Sequence, residues 1–287
     1  MNIDPELIDA MFARHGVSGP WEGLPSTGLA NHVFATRDVV LRLATDHPDG
    51  VVDARTESVA APVARAAGIL TPRLIAFDDT RTLVERPFSL WERVHGETLG
   101  LASMRPRQLA AVWQAVGREL ARLHLRIQEC ADPEGYLDEP GRDQDVGAAL
   151  QLLVDAKRLD IDAARRIERL AEELRPYSAE AFTTRFIHDD IHPMNIMCST
   201  DGELLAIIDW GDAGWGDPSL DFAAIPFSAI QSALEGYEAE APGLLGPRPE
   251  ARVAWNKLLD TVDDLWESPA ALPDAEAFRR LARLRMS

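Results

Sequence analysis

The stretch that most constrains this chain runs from Phe186 to Trp210. Two short apolar runs, one at Phe186-Ile187 and one from Leu204 to Ile208, flank a polar loop, and a polar turn from Ser199 to Glu203 leads into the second run. Short apolar runs bounded by turn residues read as strands. The loop carries His188, Asp190, His192 and Asn195, and the second strand ends at Asp209. Three oxygen-bearing side chains, Asp190, Asn195 and Asp209, therefore converge.

Such a set suits one kind of chemistry. A phosphoryl group in transfer spreads negative charge over its oxygens, so catalysis rests on magnesium, on positioning, and on a carboxylate that accepts or orients the acceptor's hydroxyl proton. Magnesium prefers hard oxygen ligands such as an Asp carboxylate and an Asn amide. The spacing Asp-x-x-x-x-Asn from 190 to 195 is that of the protein-kinase catalytic loop, and Asp209 falls where the later metal-binding aspartate of kinases would be.

The rest of the chain supplies a scaffold. Residues 5–15 have helical spacing with Gly16 as a stop, and three short strands follow at about 21–27, 32–36 and 39–44. The alanine-rich stretch 50–68 is helical in period, with Pro62 arguing for a kink or break. ILTPRLIAFDD and TLVERPF read as strands, and the polar, glycine-containing 89–100 reads as a connector. Helical periodicity then dominates 106–129 and 146–175, and it returns, broken by prolines, over 226–287. The expectation is an α+β fold of two lobes: residues 1–91, a hinge at 92–97, and a mainly helical body at 98–287.

Composition excludes several classes. Of 287 residues, 47 are acidic and 29 basic, a net charge of −18, which opposes binding to nucleic acid or an anionic membrane and attracts small cations. No apolar run reaches the roughly 18 residues of a membrane span, and the N-terminal stretch lacks a basic-then-apolar leader, so a cytoplasmic location is expected. Cys130 and Cys198 have no metal-ligand spacing and read as free thiols.

His188-Asp-Asp190-Ile-His192-Pro193-Met-Asn195, then Ile208-Asp209-Trp210, then Gly214-Trp-Gly-Asp217-Pro218-Ser-Leu-Asp221-Phe-Ala223 closely resemble the aminoglycoside phosphotransferase family. Val39–Leu43 resembles its phosphate-contacting strand, and Gly117–His124 its first large-lobe helix. The resemblance covers roughly residues 20–225 and implies a protein-kinase-like fold, with a small antiparallel sheet and one main helix in the first lobe. It implies ATP or GTP as donor, Mg2+ as cofactor, and a small-molecule acceptor. Asp190 would be the catalytic base, with Asn195 and Asp209 as magnesium ligands. Arg42 would sit on the phosphates with Glu57 holding it, and the nucleotide base would lie against Glu92 to Val94. Asp217 and Asp221 would fix the catalytic loop, and His188 and His192 would be structural.

Three points depart from the family pattern or stay open. Arg42 replaces the usual lysine, keeping charge but offering a planar fork. Asp189 replaces a common glycine; its carboxyl either faces solvent or raises the pKa of Asp190 by repulsion. Residues Ser26-Thr27-Gly28-Leu-Ala-Asn31 either cover the phosphates or form a plain hairpin turn, since one glycine is not a G-x-G-x-x-G.

Fold and motif do not choose the acceptor. Glu235, Glu238, Glu240, Asp260, Asp263 and Asp264, with Trp266 beside them, either pair with a cationic substrate or form a solvated face. With the net charge, they make a cationic antibiotic the leading expectation. A metabolite kinase (choline, amino sugar, methylthioribose or homoserine type), a macrolide or peptide-antibiotic phosphotransferase, and a non-catalytic pseudokinase are the alternatives. Monomer and dimer remain open.

Overall fold

A computed structural model describes residues 3–25, 30–137, 145–178, 182–266, 268 and 272–284. The helices are α1 (Pro5–Arg14), α2 (Pro48–Ala66), α3 (Pro106–Arg126), α4 (Val146–Asp155), α5 (Ile161–Ser178), α6 (Phe227–Glu240), α7 (Pro249–Asp264) and α8 (Ala275–Ala282). The strands are β1 (Glu22–Leu24), β2 (Asn31–Ala35), β3 (Val39–Ala44), β4 (Leu74–Asp78), β5 (Phe88–Glu92), β6 (Glu97–Thr98), β7 (Arg185–Ile187), β8 (Ile196–Cys198), β9 (Leu204–Ile207) and β10 (Gly214–Gly216). Two compact units result: Met1–Ser103 with Glu129–Asp138 and Met194–Ala213, and Met104–Gln128 with Glu139–Pro193 and Gly214–Ser287.

In the first unit an antiparallel sheet runs in the order β1-β2-β3-β5-β4. Leu41 and Leu43 of β3 alternate with Arg42, so the leucines enter the core while Arg42 faces the other way. On the leucine side α1 contributes Ile8, Met11 and Phe12, packed with Phe88 and Leu90. Asp4 starts that helix by accepting the Glu6 N–H at 3.0 Å, and Pro5 suits its first turn. Helix α2 presents Ala54, Glu57, Ala60, Ala61 and Ala64 as its buried stripe, mostly small residues that let it lie close.

Some expectations shift. Helix α2 continues through Pro62 to Ala66. The stretch read as a connector from residue 89 contains most of β5, whose Phe88, Ser89, Leu90 and Trp91 are buried, and the preceding TLVERP is irregular. Ser89 hides the strand in the sequence, but it is satisfied internally, accepting the Trp91 indole N–H at 2.7 Å. Residues 92–97 run from the end of β5 to β6, and 98–103, 129–138 and 194–213 group with the first unit.

The second unit is mainly helical. Helix α3 packs along α6, α5 against α7, and α7 against α8. The helical pattern over 146–175 is two helices: α4 and α5 break at 156–160, where Asp160 accepts the Ala163 N–H at 2.8 Å and opens the second. Strands β7 and β10 form a two-stranded pair, Ile187 opposite Gly214.

Candidate active site

Within the first unit, β8 and β9 pair antiparallel with Ile196 opposite Ile207, and the Ile208 N–H donates to the Asn195 carbonyl at 2.9 Å. That register sets Asn195 and Asp209 at the same end of one hairpin. Asp209 has φ +67°, a left-handed conformation that costs a non-glycine residue about 1–2 kcal/mol. Its side chain is anchored: Arg42 Nη2 donates to Asp209 Oδ1 at 2.8 Å. Arg42 Nη1 donates to Glu57 Oε1 at 2.5 Å, and that oxygen also accepts the Trp210 N–H at 3.2 Å. The Trp210 indole N–H donates to Thr71 at 3.0 Å.

The cluster has a closed end and an open end. The Glu57 side chain is 2% exposed and that of Asp209 41%. Burial pushes the Glu57 carboxyl above the usual range, Arg42 pulls it down, and the charge of Asp209 pushes it up again. For Arg42, burial works against the charged form, but Asp209 and Glu57 outweigh it and hold the guanidinium above its ordinary pKa. One cation serves two carboxylates, which raises the cost of ionising both.

The donor set fits magnesium. Asn195 and Asp209 offer hard oxygens, and magnesium bound to a nucleotide needs only one or two protein groups because phosphates and waters complete its shell. Among the described residues, no group of three or more His, Cys, Asp or Glu is arranged to hold a metal.

The first unit also holds a cavity of about 510 Å³ lined by Asp49, Asp53, Thr56, Tyr136, Gly211 and Asp212, among others. Thr56 Oγ1 donates to the Tyr136 carbonyl at 2.6 Å, tying α2 to that loop. Gly211 is required here, since a Cβ would stand 2.8 Å from Asp53 Cβ. Burial, then the charges of Asp209 and Asp49, raise Asp53 to about 6.

Other nucleotide-side candidates are distributed. Ser26, Thr27 and Gly28 lie outside the described residues. Asn31 is buried and opens β2 opposite Ala44. The Glu92 and Arg93 N–H groups are used by Arg73 O and Asp38 O, both at 2.9 Å, whereas Val94 stands outside the strands.

In the second unit, Asp190 follows β7 on a loop held through its backbone. Asp221 Oδ1 accepts the His188 N–H at 2.9 Å and the Asp189 N–H at 2.6 Å, and His188 Nδ1 accepts the Asp190 N–H at 3.3 Å. Asp189 adopts φ +64°, so this residue makes the turn with its backbone, whatever its carboxyl does. His192 Nε2 lies 3.3 Å from Asp190 Oδ2, which places this histidine against the candidate base. Asp217 receives a two-pronged bond from Arg252, Nε to Oδ2 at 3.0 Å and Nη2 to Oδ1 at 2.9 Å. Nothing in the local sequence marks Arg252 for this role, since it lies 35 residues further on.

The acidic acceptor-side candidates do not form one group. Glu235 accepts from Gln114 and Gln231, and Glu238 accepts the Gly243 N–H at 2.9 Å beyond the end of α6. Glu240 pairs with Arg122. Asp260, Asp263 and Asp264 lie on the last turns of α7, with Trp266, 41% exposed, just after them. Helix α6 packs on α3 while α7 packs on α5 and α8, so the two acidic sets sit in different helix pairs.

An antiparallel sheet whose strand arginine pairs with a helix glutamate, a hairpin presenting Asn195 and Asp209, and a helical unit carrying Asp190 define an α+β, protein-kinase-like phosphotransferase. The family model described as "Phosphotransferase enzyme family" matches residues 24–248, and the chain belongs to that family. It is an O-phosphotransferase of the kinase type. No curated protein sequence gives a significant match. Among solved structures, a choline/ethanolamine kinase family protein from Mesorhizobium loti is 21% identical with TM-score 0.62, over 96% of this chain and 93% of that one. The GDP complex of aminoglycoside 2′-phosphotransferase-IIIa is 17% identical with TM-score 0.66, over 96% and 97%. The streptomycin–ATP complex of APH(2″)-IIa is 15% identical with TM-score 0.63, over 97% and 99%. At these identities the likeness establishes the fold. No helix among the described residues is long and apolar enough to cross a membrane.

Proposed function

We propose that this chain transfers the γ-phosphoryl group of ATP or GTP to a hydroxyl of a cationic small molecule, an antibiotic of the aminoglycoside type in the first instance. The observation that carries the reading is the β8–β9 hairpin, which brings Asn195 and Asp209 to one end while Arg42 and Glu57 brace Asp209. Asn195 and Asp209 would hold magnesium, which would neutralise phosphate charge when bound. Arg42 is a forked donor whose present partner, Asp209, is partly open to solvent, so it is placed to share its N–H groups with a phosphate oxygen. Val94 backbone groups would meet the nucleotide base. Asp190, with His192 at 3.3 Å, orients the acceptor hydroxyl and takes its proton. A cytoplasmic location, where nucleotide and magnesium are supplied, belongs to the same reading.

The cationic acceptor is supported by the net charge of −18 and by relatives of like fold solved with streptomycin or kanamycin. A second reading, a kinase for a small cationic metabolite such as choline, is supported by the likeness to a choline/ethanolamine kinase family protein. Nucleoside-diphosphate release, measured with kanamycin, streptomycin, choline and homoserine as acceptors, separates the two. Turnover with choline or homoserine and with no antibiotic would replace the first reading by the second. Asp190→Asn should lower kcat by about 10³-fold with nucleotide affinity unchanged; a fully active variant removes Asp190 from the mechanism.

A further inference from the structure

Helices α3 and α6 meet without side chains between them at two points. A Cβ on Gly117 would fall onto the Ala233 carbonyl, and one on Gly236 onto the Gln114 carbonyl. Two helical turns beyond Gly117, on the same face, stands His124, and next to Gly236 stands Tyr237. Both are 0% exposed, as is Asp221.

These three form a line of hydrogen bonds. Tyr237 Oη lies 2.8 Å from His124 Nδ1, and His124 Nε2 lies 2.9 Å from Asp221 Oδ2. The other carboxylate oxygen accepts the His188 and Asp189 N–H groups. Direction follows from donor and acceptor capacity. Asp221 accepts along both oxygens, so Nε2 carries a proton. Burial, then the charge of Asp221, holds the Tyr237 phenol above its ordinary pKa, so it keeps its proton and donates it to a bare Nδ1. A proton on both ring nitrogens would leave the buried tyrosine O–H without an acceptor, which is costly.

The line ends at a left-handed turn. Asp189 is a non-glycine residue at φ +64°, and such a conformation persists only when its surroundings enforce it. Asp221 enforces it by gripping two successive N–H groups, those of His188 and of Asp189 itself, and Asp190 is the next residue. We propose that His124 and Tyr237 are positioning residues for phosphotransfer: they fix the rotamer of Asp221, which holds the left-handed turn at Asp189 and thereby the direction of Asp190. This rests on the role given to Asp190 above.

The test is a double-mutant cycle on magnesium-dependent ATP hydrolysis, with water as acceptor. Tyr237→Phe should lower kcat about fivefold to tenfold, a loss of one hydrogen bond's worth of alignment, with KM for ATP unchanged. Glycine holds a left-handed turn without help. In an Asp189→Gly background, Tyr237→Phe should therefore cost less than about twofold. Equal losses in both backgrounds, or no loss in either, overturn the proposal. The His124 ring in the unaltered protein gives a readout free of turnover and of misfolding: long-range ¹H–¹⁵N correlation should show a protonated Nε2 and a bare Nδ1, and a protonated Nδ1 overturns the proposal. If Asp190→Asn still hydrolyses ATP, the underlying reading falls; if Asp190→Asn is inactive while Tyr237→Phe is unimpaired, the positioning role alone falls.

Discussion

Arg42 in the first unit and Lys257 in the second are both cations taken out of water, and each is held by two partners. Those of Arg42 are carboxylates, Glu57 and Asp209. Those of Lys257 are carbonyls, Ala223 O at 2.6 Å and Ile225 O at 2.7 Å, with the Phe227 ring 5.0 Å away. Burial disfavours the charge in both places, but only the carboxylates outweigh it. Arg42 is held above its ordinary pKa, whereas Lys257 falls to about 8, burial prevailing over a contribution from Asp264. On the proposed reading, the difference separates a charge available to an incoming phosphate from one that clamps a chain segment. Lys257 ties the Ala223 and Ile225 carbonyls together, whereas Arg42 bonds to a carboxylate that is 41% exposed.

Deleting the carboxylate-paired cation should have the largest effect. Arg42→Met leaves Glu57 and Asp209 without their shared partner, and stripping one member from a buried pair costs about 3 kcal/mol. Chemical denaturation should show that loss, and adding Glu57→Gln should return part of it. An Arg42→Met protein as stable as the parent would mean that charge does not hold this cluster together.

The clamp is tested by titration. The folded pKa of Lys257, about 8, lies below its unfolded value of 10.5, so between these values the unfolded chain binds more protons and stability rises with pH. Relative to Lys257→Met, the parent should gain about 2 kcal/mol as pH is raised across that window, less than the roughly 3.4 kcal/mol that the full separation of the two values would give, because the side chain keeps some contact with solvent. A difference that stays flat with pH would show the ammonium to be better solvated than its burial indicates.

Asp53 offers the smallest effect and the opposite sign. Its folded pKa of about 6 lies above the unfolded 3.8, so its protonated form favours folding below pH 3.8 and that benefit is lost as pH rises through 6. Asp53→Asn should therefore be more stable than the parent at pH 7, by about 0.5 kcal/mol because the group is only partly buried, and the advantage should shrink towards zero near pH 4. Thermal melts at the two pH values would check it.

Legibility in the sequence follows distance along the chain. Asp190, Asn195 and Asp209 are readable because one short contiguous pattern contains them all. Strands β1 to β4 of the first sheet and the leading helix are readable from alternation and a proline-led start. Strand β5 is not, because Ser89 and Glu92 break its apolar pattern while the buried Trp91 N–H satisfies the serine locally. Partners that meet through folding leave no local trace. His124 and Tyr237 are 113 residues apart, and Arg252 reaches Asp217 from a helix whose sequence looks like an ordinary amphipathic one. His192 reads as structural in the sequence, and its contact with Asp190 is not legible there, because a two-residue separation says nothing about which way a loop turns its rings.

The close crossing of α3 and α6 also sets how freely this protein can vary. On α6, Glu235 is exposed while its neighbours Gly236 and Tyr237 are buried. A random library over this helix would find position 235 permissive and positions 236 and 237 almost closed, within a single turn. Drift in this lineage would thus be channelled to one side of the helix, with the surface free to be rewritten and the register of the crossing inherited unchanged.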